Sequence, residues 1–142
     1  MTVRPATERD AAELAALRYR FRAGLEPAIE DETTFVARCE RWMAERLRAG
    51  GRWRCWVAES GGELLGCVWL ELLEKVPNPV AEAEEHGYVS NLYVVPAARR
   101  AGVGGALLDE ALGVCRARRV DKLLLRITAA AAGSTGRIPQ RR

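Results

Sequence analysis

The sequence predicts an α/β or α+β fold in a single domain, with helices covering a mixed sheet. Three observations support this prediction. A chain of 142 residues can bury one hydrophobic core but is too short for two. Its apolar residues first recur at helical spacing and then form strand-like runs. Finally, residues 88–128 read as strand, helix and strand, which is the order of a right-handed parallel crossover.

The first third of the chain is predicted to form a short strand and two helices. Residues 3–6 read as the strand. Residues 10–22 are predicted to be helical because their apolar side chains repeat every three or four positions. A loop with a run of acidic residues spans residues 24–32. A second helix is predicted over residues 33–48, where the same spacing returns and two glycines follow.

The rest of the chain is predicted to contain a hairpin and then the crossover unit. Residues 53–59 and 64–76 read as strands, and the pair Gly61-Gly62 between them is typical of a hairpin turn. An acidic loop is expected over residues 82–86. The crossover consists of a strand, a helix and a strand, predicted over residues 88–95, 102–119 and 122–128. Ligands of such sheets collect beyond the carboxyl ends of parallel strands, so we expect a site beyond Val95.

Composition argues against several classes of protein. No stretch approaches the roughly 20 apolar residues that span a bilayer, and the N-terminus does not read as a secretory signal. We therefore expect a cytoplasmic protein that does not span a membrane. The four cysteines are scattered and the chain has one histidine, which argues against a metal site and a disulfide framework. Free, mostly buried thiols are expected instead.

Charge is unevenly distributed along the chain. Residues 1–98 contain twelve basic and sixteen acidic side chains, whereas residues 99–142 contain ten basic and three acidic ones. A basic end is typical of a protein that binds an anionic ligand. The alternative is a solvated arginine-rich tail, which is the interpretation we favour for the last few residues.

The most informative segment runs from the end of a predicted strand into a helix. Strand 88–95 is followed by Pro96, by the basic pair Arg99 and Arg100, and by a turn with three glycines. Glycines let successive backbone N–H groups point into one concavity, and the first N–H groups of a helix lack internal partners. We expect this segment to bind a pyrophosphate, with the two guanidinium groups adding charge-assisted hydrogen bonds.

Other interpretations of the same glycines exist. A dinucleotide-binding G-x-G-x-x-G that begins at Gly102 would need glycine where Leu107 stands, and the G-K-[ST] of a Walker A loop is absent. The structural alternative is a tight turn that opens a helix and binds nothing. The succession of strand, proline, arginine pair and helix favours a ligand site.

At this segment the chain resembles motif A of the GNAT (Gcn5-related) N-acetyltransferases. Leu92-Tyr93-Val94-x-Pro96 followed by Arg99-x-x-Gly102-x-Gly104 is similar to the family pattern R/Q-x-x-G-x-G/A after a strand. The N-terminal V-R-P-A-T strand, the two helices and the hairpin also follow the family order, from residue 2 to about residue 128. The resemblance implies a GNAT-like domain over residues 1–128, with a mostly antiparallel mixed sheet and helices on both faces.

The resemblance further implies that acetyl-CoA is the co-substrate and that no metal is used. Acetyl-CoA would lie in a wedge between strands 88–95 and 122–128, with its thioester and pantetheine arm held by backbone groups at Leu92 and Val94. The first strand of the wedge often carries a β-bulge in this family. The implied cofactor-binding residues are Leu92, Tyr93, Val94, Arg99, Arg100, Ala101, Gly102, Val103, Gly104 and Gly105.

The implied reaction is direct attack of an acceptor amine on the thioester. A backbone N–H, that of Leu92 or Val94, would polarise the carbonyl, and a base must accept the amine proton. Family members often carry an acidic residue just before the L-Y-V segment, but Ser90 and Asn91 stand there. The remaining candidates for proton transfer, each with a structural role as its alternative, are Tyr88, Glu71 and His86.

The chain departs from the family pattern after Thr128. The family continues with a helix whose tyrosine protonates the leaving thiolate, and then with two more strands. Residues 129–142 contain no aromatic residue and read as an atypical arginine-rich tail, so these elements and the general acid are predicted to be missing. Strand 122–128 would then expose an edge, which predicts a homodimer that sedimentation at micromolar concentration would detect.

Three functions are left open by the sequence. The preferred one is N-acetyl transfer from acetyl-CoA to a primary amine of a small molecule or peptide. An acidic wall of Glu26, Glu30, Asp31 and Glu32 would favour a cationic amine. The second is an acyl-CoA-binding protein with little or no turnover, such as a sensor or partner subunit, which the missing tyrosine favours. A nucleic-acid binder ranks last, because the chain lacks a recognised motif and a basic helix with interleaved aromatic residues.

Overall fold

The computed structural model describes residues 1–127, which form a five-stranded sheet and three α-helices. In chain order the elements are β1 (Thr2–Pro5), α1 (Ala11–Ala23), α2 (Glu32–Ala49), β2 (Trp53–Ser60), β3 (Glu63–Glu74), β4 (Glu85–Val94), α3 (Val103–Arg118) and β5 (Leu123–Arg126). Short 3₁₀ turns precede α1 and α3. The predicted arginine-rich tail, and the helix and strands predicted to be missing there, lie outside the described residues.

The strands are arranged in the order β1-β2-β3-β4-β5. The first four strands pair antiparallel to their neighbours, and β4 pairs parallel to β5. The predicted mixed and mostly antiparallel sheet is therefore confirmed. The parallel pair is the one expected from the strand–helix–strand unit, since α3 connects β4 to β5.

Helices cover both faces of this sheet, as predicted. Cys55 and Val57 of β2 pack with α1 and α2, whereas Trp56 and Ala58, which alternate with them, pack with α3. The central strands are thus buried on both sides. The buried side chains of α3 lie four residues apart, so they form one stripe on the sheet. This stripe consists of Val103, Leu107, Ala111 and Cys115.

The start of β4 differs from the sequence prediction. Residues 82–86 were expected to be a loop because they are acidic, but β4 begins at Glu85. Glu85 pairs with Glu74 of β3, and its carboxylate accepts a hydrogen bond from Arg118 Nε at 2.6 Å. Arg52 lies 3.9 Å from the same carboxylate. These two guanidinium groups compensate the negative charge of Glu85, and the acidic character of residues 82–86 was the reason for predicting a loop.

The N-terminal strand is tied to the rest of the fold by Arg4. Its two Nη atoms donate to the two carboxylate oxygens of Asp10 at 2.9 Å each, and its Nε donates to Glu59 at 2.7 Å. The Asp10 carboxylate also accepts the Thr7 N–H at 2.8 Å, at the start of the first helical turn. Hydrogen bonding from Arg4 holds the pKa of Asp10 below its usual value.

Candidate functional site

A β-bulge interrupts β4 where the sequence places the thioester. Cys67 of β3 is paired with Tyr93 and Trp69 with Ser90, so two residues of β4, Asn91 and Leu92, lie opposite one residue of β3. Asn91 has φ 57°, a left-handed conformation that asparagine adopts more readily than most residues. The bulge that the resemblance implies is therefore present.

The described pairing of β4 with β5 ends at the bulge. Their pairing ends at Ser90 and Arg126, although β4 continues to Val94. The N–H of Val95 donates to β3 at 2.8 Å. Because N–H groups alternate along a strand, those of Leu92 and Val94 point to the opposite edge, on the β5 side. Both backbone donors expected at the thioester thus face the β5 side, beyond the last described pair of the two parallel strands.

Close approach of β3 to the end of β4 requires a glycine. A Cβ added at Gly66 would lie 2.5 Å from the backbone oxygen of Tyr93 and 3.2 Å from a methyl group of Leu107. No side chain fits at such a distance, so Gly66 keeps the end of β4 in its register on β3.

A left-handed turn then leads into α3. Arg100 has φ 66° and Gly102, the residue before the helix, has φ 82°. None of the six N–H groups of residues 100–105 donates a hydrogen bond to another group within residues 1–127. A Cβ at Gly102 or Gly105 would meet no atom within 4 Å, so the space beside these two residues is open. We call residues 100–105 the amide cradle.

The cradle fits a pyrophosphate in its chemistry. Six N–H groups without a partner within residues 1–127 lie at the start of α3, where the helix dipole is positive. No acidic residue occurs between Val95 and Leu108, so the segment itself carries no carboxylate that would repel the anion. Arg100 is exposed beside the cradle.

Arg99 has a structural role that the sequence did not predict. Its Nε donates to the backbone oxygen of Val94 at 2.8 Å, and its guanidinium lies over the ring of Tyr93 at 5.6 Å. Arg99 therefore fixes the end of β4 and has only its terminal nitrogens left for an anion. The side chains of Leu92, Tyr93 and Val94 are buried, so these residues offer a ligand mainly backbone groups.

A cavity of about 330 Å³ lies beside the bulge, on the face of the sheet that carries α1. Residues of α1, β2, β4 and β5 form its wall. They are Arg18, Phe21, Arg22, Trp53, Tyr88, Ser90, Asn91, Leu92 and Arg126. Sequence reasoning had singled out Tyr88 and Leu92 among them, while Arg18, Trp53 and Arg126 were missed.

The three candidates for proton transfer are placed differently. Tyr88 is on the cavity wall, and Glu71 lies directly opposite it on β3. His86 lies four residues before Ser90, about 13 Å away at roughly 3.3 Å per residue. The buried Nδ1 atom of His86 is 3.9 Å from Asp121, at the far end of β4. The structure therefore places Tyr88 on the cavity wall with Glu71 beside it on β3, and it separates His86 from the cavity.

Arg18 links the cavity to the bulge. One of its Nη atoms donates to the side-chain oxygen of Asn91 at 2.8 Å. Burial, and then repulsion from Arg22, lowers the pKa of Arg18. A signal was visible in the sequence, because Arg18 stands four residues after Leu14 and three before Phe21, on the apolar stripe of α1.

The cysteines do not offer a nucleophile. All four are free, and burial raises the pKa of Cys67 to about 12. The Sγ of Cys67 instead donates to the backbone oxygen of Asn91 at 3.8 Å.

Within residues 1–127, no three His, Cys, Asp or Glu side chains are grouped so that they could hold a metal ion. No helix in this part of the chain has the length and apolar character needed to cross a membrane.

Comparisons with known proteins give matches over most of this chain. A model of the acetyltransferase (GNAT) family matches residues 15–136. A GCN5-related N-acetyltransferase from Ralstonia eutropha JMP134 is 32% identical, with a TM-score of 0.65 over 93% of this chain and 85% of that one. A comparison with curated protein sequences gives no match.

Two further solved structures share the fold. A predicted acetyltransferase from Clostridium acetobutylicum, crystallised with acetyl-CoA, is 22% identical, with a TM-score of 0.73 over 93% of this chain and 84% of that one. A ribosomal-protein-alanine N-acetyltransferase from Brucella melitensis biovar Abortus 2308 is 25% identical, with a TM-score of 0.65 over 89% of this chain and 79% of that one.

Proposed function

Because this chain belongs to the acetyltransferase (GNAT) family, we propose that it transfers an acetyl group from acetyl-CoA to a primary amine. The observation that carries the proposal is the amide cradle, which opens directly beyond a bulged strand with two outward-facing backbone donors. The Clostridium acetobutylicum protein that shares the fold was crystallised with acetyl-CoA, which supports the same ligand here.

Each part of the site has a role in this proposal. The amide cradle binds the pyrophosphate, and Arg100 adds a guanidinium from its exposed side. The N–H groups of Leu92 and Val94 bind the pantetheine arm and the thioester carbonyl, so one of them polarises the carbon that is attacked. The acceptor amine occupies the cavity on the α1 face, next to the bulge.

In the reaction, the amine nitrogen forms a bond to the acetyl carbon and the bond from that carbon to sulfur breaks. One proton leaves the amine and one is gained by the sulfur. Acetyl-CoA, when bound, supplies the activated acetyl group. Tyr88, with Glu71 opposite it, is our candidate for moving the proton, directly or through a water.

A protein that binds acyl-CoA without turnover is the second candidate function. It is favoured by Ser90 and Asn91, neither of which is an acid, at the position just before the L-Y-V segment where family members often carry an acidic residue. The two candidates share the cradle and differ only in the release of free thiol. The cytoplasmic location, the homodimer and the domain boundary at residue 128 stay predictions from the sequence.

The test compares two glutamates introduced on the same helix. Gly104→Glu places a carboxylate in the cradle and should abolish acetyl-CoA binding, since it repels the pyrophosphate and fills the space in front of the amides. Gly113→Glu is the matched control, because the space around Gly113 is open and it lies on α3 far from the cradle. Stabilisation by a ligand at about 100 times its Kd is roughly 2.7 kcal/mol, which a thermal shift detects.

Three outcomes are informative. Stabilisation of wild type and Gly113→Glu but not of Gly104→Glu supports the cradle. Equal stabilisation of all three proteins would show that the pyrophosphate binds elsewhere. Free thiol released in the presence of a panel of amines separates the enzyme from the non-catalytic acyl-CoA binder.

A further inference from the structure

We propose that the acceptor amine carries a carboxylate, which is bound in the cavity beside the bulge by Arg18, Arg22 and Arg126. The inference rests on the proposed function, because it assigns the substrate class of the same site. It starts from the charge of the cavity, whose wall contains these three guanidinium groups, with a single carboxylate, that of Glu71, on the strand next to Tyr88.

Arg18 carries most of the argument. It is half-buried, and its only hydrogen-bond acceptor among residues 1–127 is the neutral amide of Asn91. A guanidinium has five N–H donors, so most of its hydrogen-bonding capacity is left over. A half-buried charge without a counter-charge is costly in the free protein, and an anion in the cavity would remove much of that cost.

Arg22 adds a second charge on the same helix. Its guanidinium and that of Arg18 both lie over the ring of Phe21, at 5.7 and 5.8 Å from the ring centre. Repulsion from Arg22 adds to the effect of burial in lowering the pKa of Arg18. The contact of Arg22 with Glu26 is an exposed pair at 3.3 Å, which compensates little charge.

Arg126 supplies the third charge from the opposite wall. It is paired with Ser90, the last residue of β4 before the bulge. Leu123 and Leu125 pack towards α3, so the alternating side chain of Arg126 belongs to the face of the cavity. No ion pair joins Arg126 to another residue of the described chain, so its charge is available to a ligand.

The position of these groups limits where the carboxylate lies on the acceptor. Arg18 contacts Asn91, and Arg126 pairs with the residue before it, so both are next to the bulge where the amine must react. The carboxylate is therefore only a few bonds from the amine. Two kinds of molecule have this chemistry: a free α-amino acid, and a peptide whose N-terminal residue is aspartate or glutamate.

The acidic loop gives little support to the cationic acceptor considered from the sequence. Glu26 contacts Arg22, Glu30 accepts from Arg38 at 2.6 Å, and Asp31 caps α2 through the N–H of Thr34. Glu30 and Asp31 are thus engaged within the chain, whereas the contact of Glu26 is exposed and weak. The cavity beside the bulge is positive instead.

The experiment measures binding of reaction products, so it does not depend on turnover. Calorimetric titrations use N-acetylglycine, its neutral amide, and the α-amide of N-acetylaspartate, which keeps only the side-chain carboxylate. We expect at least one of the two acids to bind roughly tenfold or more tightly than N-acetylglycinamide, since hydrogen bonds between charged groups are strong. The acid that binds more tightly distinguishes a free amino acid from an acidic peptide terminus.

Variants assign the effect to the cavity. Arg18→Gln and Arg126→Gln should each remove most of the preference for the acid. Arg20→Gln is the matched control, because Arg20 is on the same helix as Arg18, is exposed and does not line the cavity. Arg126 is exposed on a short strand, so its variant gives a result even if Arg18→Gln folds poorly.

Equal binding of both acids and the amide, no binding of any of them, or a preference that survives both substitutions would overturn the inference. These results are distinct from failure of the proposed function, which is the absence of stabilisation by acetyl-CoA in the wild-type protein.

Discussion

Asn91 has two structural roles, one of its backbone and one of its side chain. Its backbone, at φ 57°, forms the bulge in β4, while its side chain accepts a hydrogen bond from Arg18. The bulge thus places the end of β4 and the guanidinium of Arg18 next to each other. A single residue connects the two halves of the candidate site.

Two substitutions of Asn91 should distinguish its backbone role in the bulge from its side-chain contact with Arg18. Asn91→Ala forces a Cβ-bearing residue without a local hydrogen bond into the left-handed region, which costs about 1–2 kcal/mol. Asn91→Gly loses the same contact to Arg18 but relieves the backbone strain, so it should be the more stable of the two variants. Urea unfolding measures the difference, and equal stability of both variants would contradict a strained bulge.

The sequence predicted the residues of the cradle but not those of the cavity. A glycine-rich turn after a strand is a local pattern, so Gly102, Gly104 and Gly105 could be recognised from neighbouring residues alone. Arg18 and Arg126 are 108 positions apart in the numbering of the chain and meet only through the fold. Their shared cavity depends on strand order and register, which no local pattern encodes.

At the scale of elements, the packing of β3 against β4 depends on one glycine. Gly66→Ala introduces a Cβ 2.5 Å from the backbone oxygen of Tyr93, and neither backbone can move without disturbing the sheet. We expect a loss of about 1–3 kcal/mol in the free energy of unfolding. The same change at Gly113, in the open middle of α3, should instead stabilise the protein by up to about 1 kcal/mol.

Chemical denaturation of the two alanine variants checks this contrast. If Gly66→Ala were as stable as the wild type, the close approach of the two strands would not be a property of the protein in solution. Gly113→Ala controls for the general effect of replacing glycine on the unfolded chain.

Helices and strands were predicted well where the spacing of apolar residues agrees with the glycine or proline residues at their ends. The helices and the hairpin have regular apolar spacing and clear glycine or proline stops, and the structure confirms them. The start of β4 was missed because Glu85 and His86 are polar, and their pairing with β3 and with Arg118 is long-range. The bulge was not predictable from alternation alone, since one extra residue only shifts the pattern of β4 by one position.

At the scale of the whole molecule, the Arg4–Asp10 pair joins the first strand to the first helix and, through Glu59, to β2. Loss of the Asp10 charge should therefore weaken the fold as a unit. Asp10→Asn is expected to cost about 2 kcal/mol at neutral pH, as hydrogen bonds to a charged group are lost. Glu59→Gln, at the more exposed end of the same network, should cost less.

This pair also predicts how stability depends on pH. The folded pKa of Asp10 is lowered, so the pair contributes fully above the unfolded value of about 3.9 and its contribution is lost as the pH falls through the folded pKa. The difference in unfolding free energy between wild type and Asp10→Asn should therefore shrink in acid. A difference that stays constant from neutral pH into this range would show that Asp10 is not shifted.

The amide cradle lies at the start of α3, whereas the cavity beside the bulge lies on the face of the sheet that carries α1. Two molecules that approach from these directions do not compete for one entrance. If both sites are used, donor and acceptor can occupy the protein at the same time, and saturation with one leaves the other free to enter and depart. The order of binding would then be set by the two affinities, since neither the donor nor the acceptor has to dissociate before the other can reach β4.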